Sequence, residues 1–265
     1  MPVPRSVQEL DLSLATRTEA VLSRVELPAS GAVADLGCAT GSFAARLAER
    51  GLAVTCVDVS AENLAALERL HPGLVARGLL EPVRADLTAL PIGAESVDVV
   101  FCMEVLEHVV DDRGALREAR RILRPGGVLA LTVPNAAAPQ PLVERLGLAS
   151  VHDQEGPERH VREGYDAAGV ETLLSECGFD SIRVGGVGGA IFRAAAGVVS
   201  LGHLAYRRGQ GQHSWTWADV ERDSGSLAFR LYAVAFPLLL GLVGLERRVP
   251  TSRASTLVAT ATRTG

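Results

Sequence analysis

The stretch Val33-Ala-Asp-Leu-Gly-Cys-Ala-Thr-Gly-Ser-Phe43 is the most informative part of the sequence about the fold. It begins as a short apolar run with an acid, Asp35, near its end. Gly37 then opens a tight turn, and Gly41 stands where a helical pattern begins. Glycine lets the backbone approach a ligand closely, and the first amides of a helix are unpaired donors for an anionic group. The stretch therefore predicts a strand, a ligand-binding loop and a helix, in that order.

The residues at positions 37–42 and the lack of lysine exclude two other nucleotide-binding loops. The dinucleotide pattern G-x-G-x-x-G needs glycine at 37, 39 and 42, where the chain has Gly37, Ala39 and Ser42. A P-loop needs a lysine, and all 26 Lys+Arg residues of this chain are arginine. The lack of lysine also excludes Schiff-base chemistry and leaves His, Asp, Glu and Tyr as side chains that can act as a base.

Further runs of strand length follow, separated by helical patterns. They lie at 53–57, 82–85, 97–102 and 128–133, with shorter runs at 181–184 and 255–260. Nearly continuous apolar strands that alternate with helices indicate a parallel sheet covered on both faces. We therefore expect one α/β domain.

The composition is that of a globular chain. Of 265 residues, 48% are hydrophobic and 22% charged, and the net charge is −5. A negative net charge does not attract the phosphates of nucleic acid, so we expect no nucleic-acid partner. The four cysteines form no C-x-x-C pair, and the N-terminus lacks the apolar segment of a secretory signal. Both features predict free thiols and a cytoplasmic location.

Asp35-Leu-Gly37-Cys-Ala-Thr-Gly41 resembles motif I, (D/E)-x-G-x-G-x-G, of the class I S-adenosylmethionine (SAM) dependent methyltransferases. The one departure is Ala39, which stands at the second glycine. Other segments resemble the family's later motifs in order, namely Val54–Ser60, Arg84–Leu87, Leu90–Val100, Glu104–Val109 and Leu123–Val128. The resemblance is to the small-molecule enzymes of the methyltransferase-11 and ubiquinone-biosynthesis group.

This resemblance implies a Rossmann-like class I methyltransferase fold. Its sheet has seven strands, mostly parallel with the last antiparallel, helices cover both faces, and a mainly helical insertion precedes the last strand. Asp98 is expected to be a structural residue at the start of the fourth strand. As one domain over 1–265, the chain divides into an N-terminal helical segment 1–30, a SAM-binding core 31–135, a substrate-side loop, helix and strand 136–188, an apolar helical insertion or lid 189–250, and the last strand 251–265.

The resemblance also implies SAM as cofactor, with S-adenosylhomocysteine as product. Asp58 is expected to accept hydrogen bonds from the two ribose hydroxyls, and Asp86 from the adenine amino group. Asp35 would orient the loop or meet the ammonium group of the methionine moiety. The complete expected cofactor set is Asp35, Gly37, Cys38, Ala39, Gly41, Asp58, Val59, Asp86, Leu87, Cys102 and Met103.

Histidines are the best candidates for a catalytic base. A hydroxyl acceptor must lose its proton, and imidazole titrates near neutral pH. His108 follows the fourth strand and His160 lies in a polar loop, so either is expected to be the base. His152, Arg162 and Tyr165 are expected to contact the substrate.

We expect no metal ion, although one set of ligands deserves mention. Glu104, Glu107 and His108 stand at i, i+3 and i+4 and would share one face of a helix. Polyprenyl-quinone O-methyltransferases have a similar Glu-x-x-Glu-His pattern, and some of them are thought to use a divalent ion.

The apolar insertion is not explained by the family motifs. Leu231–Leu245 carries no charge, but it falls short of the about 20 residues that span a bilayer. Three interpretations remain open: a packing helix or dimer interface, a lid over an apolar substrate, and a membrane anchor. Membrane contact through 227–245 is not favoured, because interfacial helices usually have a basic polar face. The chain is expected to be a monomer or homodimer.

These features predict a SAM-dependent methyltransferase acting on a small, apolar or aromatic acceptor, for example in natural-product biosynthesis. O-methylation is preferred because histidines are available. One alternative is an isoprenoid-quinone or lipid methyltransferase at a membrane surface. Another is a SAM-binding protein that does not transfer methyl.

Overall fold

Seven strands and seven labelled helices of the described residues form the frame around the site. The computed structural model describes residues 11–139, 160–197, 227–246 and 249–265. The strands are β1 Ala32–Leu36, β2 Ala53–Asp58, β3 Leu80–Arg84, β4 Val97–Met103, β5 Leu123–Pro134, β6 Asp180–Val187 and β7 Thr256–Thr262. The helices are α1 Leu12–Leu22, α2 Ser42–Ala48, α3 Ala61–Leu70, α4 Pro72–Ala76, α5 Asp112–Ile122, α6 Ala167–Glu176 and α7 Leu227–Gly244. Residues 190–197 are also helical.

Side chains just before several helices determine where those helices begin. Asp11, Ser60, Asp111 and Asp166 each accept a hydrogen bond from a backbone amide in the first turn of the helix that follows. Such a cap satisfies an amide that has no partner within the helix. The loop after β1 is different, because the residue just before α2 is Gly41, which has a left-handed φ of 78° and no side chain to cap with.

The strands form a single seven-stranded sheet in the order β3-β2-β1-β4-β5-β7-β6. Neighbouring strands from β3 to β5 are parallel, whereas β7 runs antiparallel to both β5 and β6. The expected fold class is confirmed. The strand order reverses direction between β1 and β4, and ligands of such sheets bind beyond the carboxyl ends of the strands at this point.

Apolar side chains pack on both faces of the sheet. One face carries Leu116 and Leu174 of α5 and α6, and the other carries Leu47 and Leu67 of α2 and α3, all almost fully buried. The four cysteines are buried and none forms a disulfide, as expected. Burial on both faces explains why the strands are almost continuously apolar.

Two details of the parallel sheet refine the sequence prediction. Asp98 accepts a hydrogen bond from the Ala32 amide (2.8 Å) and pairs with Arg124, which confirms its structural role in joining β1 to β4. The turn Pro125–Gly127 does not precede β5 but lies within it. Leu123 pairs with Val97 and Val128 with Val99, so the residues between them form a bulge.

Only part of the apolar insertion belongs to the described structure. Helix α7 packs on α1, where Phe236 and Val243 form a small separate cluster with Leu12 and Ala15. On its other side, the side chains of Val234, Leu238, Leu242 and Leu245 are exposed. Within the described residues, no helix is long and apolar enough to cross a membrane. The tryptophans at 215 and 217 lie outside the described residues, and the division of the chain into segments stays a prediction.

Candidate cofactor and acceptor site

The loop after β1 lies beneath the segment that follows β4. Gly37 has a φ of 74°, and its amide and that of Cys38 both donate to the Val57 carbonyl, at 2.8 and 3.0 Å. A Cβ atom on Gly37 would lie 2.4 Å from Val105 Cγ2. Glycine is therefore required here by both the backbone angle and the contact with Val105. This contact places residues 104–108 directly beside the expected cofactor loop.

Ala39, the one departure from the glycine pattern, keeps the loop geometry of a glycine. Its φ is 47°, a left-handed value that a residue with a Cβ rarely adopts. Its amide donates to Asp58 Oδ2 at 2.9 Å. The hydrogen bond holds the loop after β1 to the end of β2.

Asp58 is organised by backbone and side-chain donors. Besides Ala39, the Ser60 amide donates to Oδ1 at 2.8 Å and Asn63 Nδ2 donates to it at 3.4 Å. A carboxylate has about four acceptor positions, so it can accept a further bond. The neighbouring Val59 is exposed beyond the end of β2.

Asp35 is a buried carboxyl group within this site. Burial, and then the nearby charge of Asp58, raise the pKa of Asp35 from 3.8 to about 7. Its Oδ2 atom is buried and has no hydrogen-bond partner among the described residues. A buried acceptor without a partner is uncommon in native structures, and a contact with a ligand, water or ion is one physical explanation.

The remaining expected cofactor residues lie at the ends of the next strands. Asp86 is exposed and accepts from both the amide and the hydroxyl of Thr88, and the amide bond is the main cause of its lowered pKa. Leu87 and Cys102 are buried, and Met103 is half-buried. All of these residues lie at the carboxyl edge of the sheet.

The two histidines expected as bases lie side by side. The rings of His108 and His160 meet edge to face, with centroids 4.7 Å apart and planes at 81°. The Val161 amide donates to the Glu107 carbonyl at 2.9 Å, which joins the two segments. The Nδ1 atom of His108 is buried without a hydrogen-bond partner among the described residues. Two residues 52 positions apart in the sequence thus form one pair.

Glu107 lies against this histidine pair and is 1% exposed. Burial, and then the charge of Glu104, raise the pKa of Glu107 to about 8. One atom each of Glu107, His108 and His160 lie within 4.8 Å of one another. A carboxylate and two imidazoles are ligands that suit zinc or a similar divalent ion. The expected metal set with Glu104 assumes that residues 104–108 form one helix. The structure has only a short 3-10 turn there, at Leu106–His108, so the helical spacing does not apply.

Glu104 forms an ion pair with an arginine of the first helix. It follows β4 with a left-handed φ of 56°, and its carboxylate lies 3.6 Å from Arg17 of α1. The other carboxylate oxygen and Arg17 Nε are buried without partners among the described residues. Arg17 could not be predicted as part of the site, since an arginine on an amphipathic helix usually faces solvent.

Arg162 and Tyr165, expected to contact substrate, make their contacts within the protein. Arg162 donates to the carbonyls of Leu106, Val109 and Val110, and the Tyr165 hydroxyl donates to Asp112 at 2.9 Å. Their contact with a substrate stays a prediction. His152 lies outside the described residues.

The strand order, the glycine loop after β1 and the acid that ends β2 define a class I methyltransferase fold. Residues 34–131 also match the family described as a methyltransferase domain. A ubiquinone biosynthesis O-methyltransferase of Xanthomonas axonopodis pv. citri (strain 306) is 38% identical over 121 residues, which are 45% of this chain and 49% of that protein. The chain therefore spans about half the length of the curated relatives it matches.

Solved structures agree on the fold. A Haemonchus contortus phosphoethanolamine N-methyltransferase 2, crystallised with S-adenosylhomocysteine, has a TM-score of 0.60 at 15% identity and covers 94% of this chain and 52% of its own. The [4+2]-cyclase SpnF has a TM-score of 0.62 at 18% identity, and the match covers 100% of this chain and 85% of the SpnF chain. Residues 34–131 thus match a methyltransferase-domain family, and the solved structures show the same class I methyltransferase fold.

Proposed function

We propose that this chain is a SAM-dependent methyltransferase that methylates a hydroxyl group of a small, apolar or aromatic molecule. The observation that carries the proposal is the histidine pair beside the cofactor loop. Val105 touches Gly37, and His108 follows three residues later with His160 against it. A base and a SAM-type loop at one edge of the sheet are the two parts that O-methylation needs.

The cofactor part of the proposal assigns three acids. Asp58 holds the ribose hydroxyls, Asp86 accepts from the adenine amino group, and Asp35 orients the loop or meets the ammonium group. Their support is position, since each lies at or just beyond the carboxyl end of one of the parallel strands β1, β2 and β3. The other proposed cofactor contacts are Gly37, Cys38, Ala39, Gly41, Val59, Leu87, Cys102 and Met103.

The acceptor part assigns the base to His160 or His108. When bound, SAM would supply a methyl group on a sulfonium, and the acceptor oxygen would attack the methyl carbon in line with the carbon–sulfur bond. The histidine takes the hydroxyl proton as the oxygen–carbon bond forms and the carbon–sulfur bond breaks. Methyl ether and S-adenosylhomocysteine leave, and the histidine returns the proton to water.

Two other functions have support of their own. The relatives named for ubiquinone biosynthesis, together with the exposed aliphatic row on α7, favour an isoprenoid-quinone or lipid acceptor at a membrane surface. The similarity to SpnF, named as a cyclase, favours a SAM-binding protein that runs other chemistry on this fold.

The decisive experiment measures S-adenosylhomocysteine with a panel of phenols, alcohols, amines and quinols. We expect product with a phenol or alcohol, and about a 100-fold lower kcat in His160→Gln or His108→Gln. SAM affinity by calorimetry should be unchanged in those variants and should fall tenfold or more in Asp58→Ala. Runs with and without a chelator test whether the histidines act as base or as metal ligands.

Each alternative has its own result in the same experiment. Tight SAM binding without transfer to any acceptor would favour the protein that does not transfer methyl. Turnover that needs liposomes, with co-sedimentation of the protein, would favour the membrane-surface acceptor. Unchanged SAM affinity in Asp58→Ala would refute the ribose assignment.

A further inference from the structure

The segment that carries His160 returns to the site beside the turn that follows β4. Residues 160–164 form no helix or strand, and Tyr165 makes a bridge to Asn135 after β5. The Val161 amide donates to the Glu107 carbonyl at 2.9 Å. One such bond contributes about 1 kcal/mol, so further bonds between the two segments would add to the precision with which they are held together.

The guanidinium of Arg162 makes several further bonds between the two segments. Its Nη1 atom donates to the carbonyls of Leu106 and Val109, the second at 2.7 Å, and Nη2 donates to the Val110 carbonyl at 3.1 Å. These carbonyls lie on both sides of His108, in and after the short 3-10 turn. The planar fork of arginine can join several acceptors at once. It therefore connects the His160 segment to the backbone around His108.

Asp112 and Tyr165 hold this guanidinium from the other side. Asp112 Oδ2 lies 3.6 Å from Arg162 Nη1 and accepts from the Tyr165 hydroxyl at 2.9 Å. Nη1 also donates to the Tyr165 oxygen at 3.0 Å. Asp112 is buried, so the charge of Arg162 is balanced by a group that is itself fixed at the start of α5. The cluster is built into the fold and is not a surface ion pair.

We propose that Arg162 is the positioning residue that holds His160 against His108. The proposal rests on the proposed function only where it concerns catalysis, because the contact between the two rings can be measured by itself. A catalytic group must lie within about 0.5 Å of its productive position, and an error of about 1 Å can cost 100-fold in rate. Both terminal nitrogens of Arg162 are bound to backbone carbonyls, which favours positioning over contact with the acceptor.

The test compares Arg162→Gln with Arg120→Gln in the full chain. Arg120 is a matched control, because it also joins backbone carbonyls, those of Gly178 and Thr264, but at the opposite edge of the sheet. In histidine-labelled protein, ring signals of His108 and His160 are assigned from the variants that lack them. A nuclear Overhauser effect between the two rings is then recorded.

We expect the nuclear Overhauser effect between the two rings in the wild type and in Arg120→Gln. We expect it to be lost in Arg162→Gln. For an accepted substrate, kcat of Arg162→Gln should fall about 10- to 100-fold while the KM for SAM stays unchanged. Arg162→Lys also tests the proposal if the glutamine variant does not fold. Its ammonium can still donate to the Leu106 and Val109 carbonyls, so it should keep the ring contact.

A ring contact that persists in folded Arg162→Gln, or that is lost in Arg120→Gln, would overturn the proposal. Loss of the ring contact with unchanged kcat would support the positioning role but refute the histidine base. The failure of the inference and the failure of the proposed function are therefore distinguishable.

Discussion

At the scale of single residues, the site depends on backbone angles that the sequence only partly reveals. Gly37 was identified from its motif, and the structure adds the reason, which is the contact with Val105. Ala39 has the same type of angle without being glycine. The hydrogen bond from its amide to Asp58 stabilises a conformation that costs about 1–2 kcal/mol for a residue with a Cβ.

Replacement of Gly37 by alanine tests this contact, with Gly51 as the matched control. Both glycines have positive φ, 74° and 88°, but a Cβ on Gly51 would meet nothing within 4 Å. Gly51→Ala should lose about 1 kcal/mol of stability from backbone strain alone. Gly37→Ala should lose about 2–4 kcal/mol, because Val105 must also move. Urea unfolding measures both values.

Calorimetry with SAM completes the comparison. Cofactor affinity should fall at least tenfold in Gly37→Ala and stay unchanged in Gly51→Ala. Equal SAM affinities in the two variants would mean that the loop after β1 is not the cofactor loop.

At the scale of elements, α1 connects the insertion to the site. It packs on α7 through Leu12 and Ala15, and its Arg17 reaches Glu104 at the end of β4. The sequence predicts both helices, but not that they touch, since α7 is more than 200 residues away from α1 along the chain. Their packing depends on which apolar row of α7 turns inward.

A pair of substitutions in α7 tests which row is inward. Phe236→Ala should cost about 2–4 kcal/mol, because a buried aromatic ring leaves a cavity against α1. Leu238→Ser should change stability by less than about 0.5 kcal/mol, since that side chain is 73% exposed. Hydrogen exchange should show lost protection in α1 and α7 only for Phe236→Ala. The reverse order of effects would contradict this packing.

At the scale of the whole molecule, the central buried acid links stability to pH. The pKa of Asp35 is raised to about 7 in the folded chain and is near 3.9 when unfolded. Between these values the folded state holds a proton that the unfolded state has lost. The contribution of Asp35 to stability is therefore complete below about pH 4 and is lost as the pH rises to about 7.

Asp35→Asn tests this dependence in cofactor-free protein. The variant stays neutral, so its stability relative to wild type should rise by on the order of 2–4 kcal/mol between pH 4 and 8. Asp86→Asn is the control of opposite sign, since the lowered pKa of Asp86 stabilises the wild type above the unfolded pKa and that stability is lost on acidification. Denaturant unfolding from about pH 2 to about pH 8 measures both, because the Asp86 effect lies below the unfolded pKa of about 3.9 and the Asp35 effect lies above it. A flat difference for Asp35→Asn above about pH 4 would refute its raised pKa.

The sheet, the expected cofactor loop and the acids at the strand ends could be predicted from the sequence. These follow from local spacing, because a strand, a glycine turn and a helix are contiguous in the chain. The contact of His160 with His108, the burial of Glu107 beside them and the bonds of Arg162 that join the two segments are visible only in the folded chain. These residues are about 50 positions apart, and their contact depends on how the chain returns to the carboxyl edge of the sheet and on which backbone carbonyls remain there to be bound.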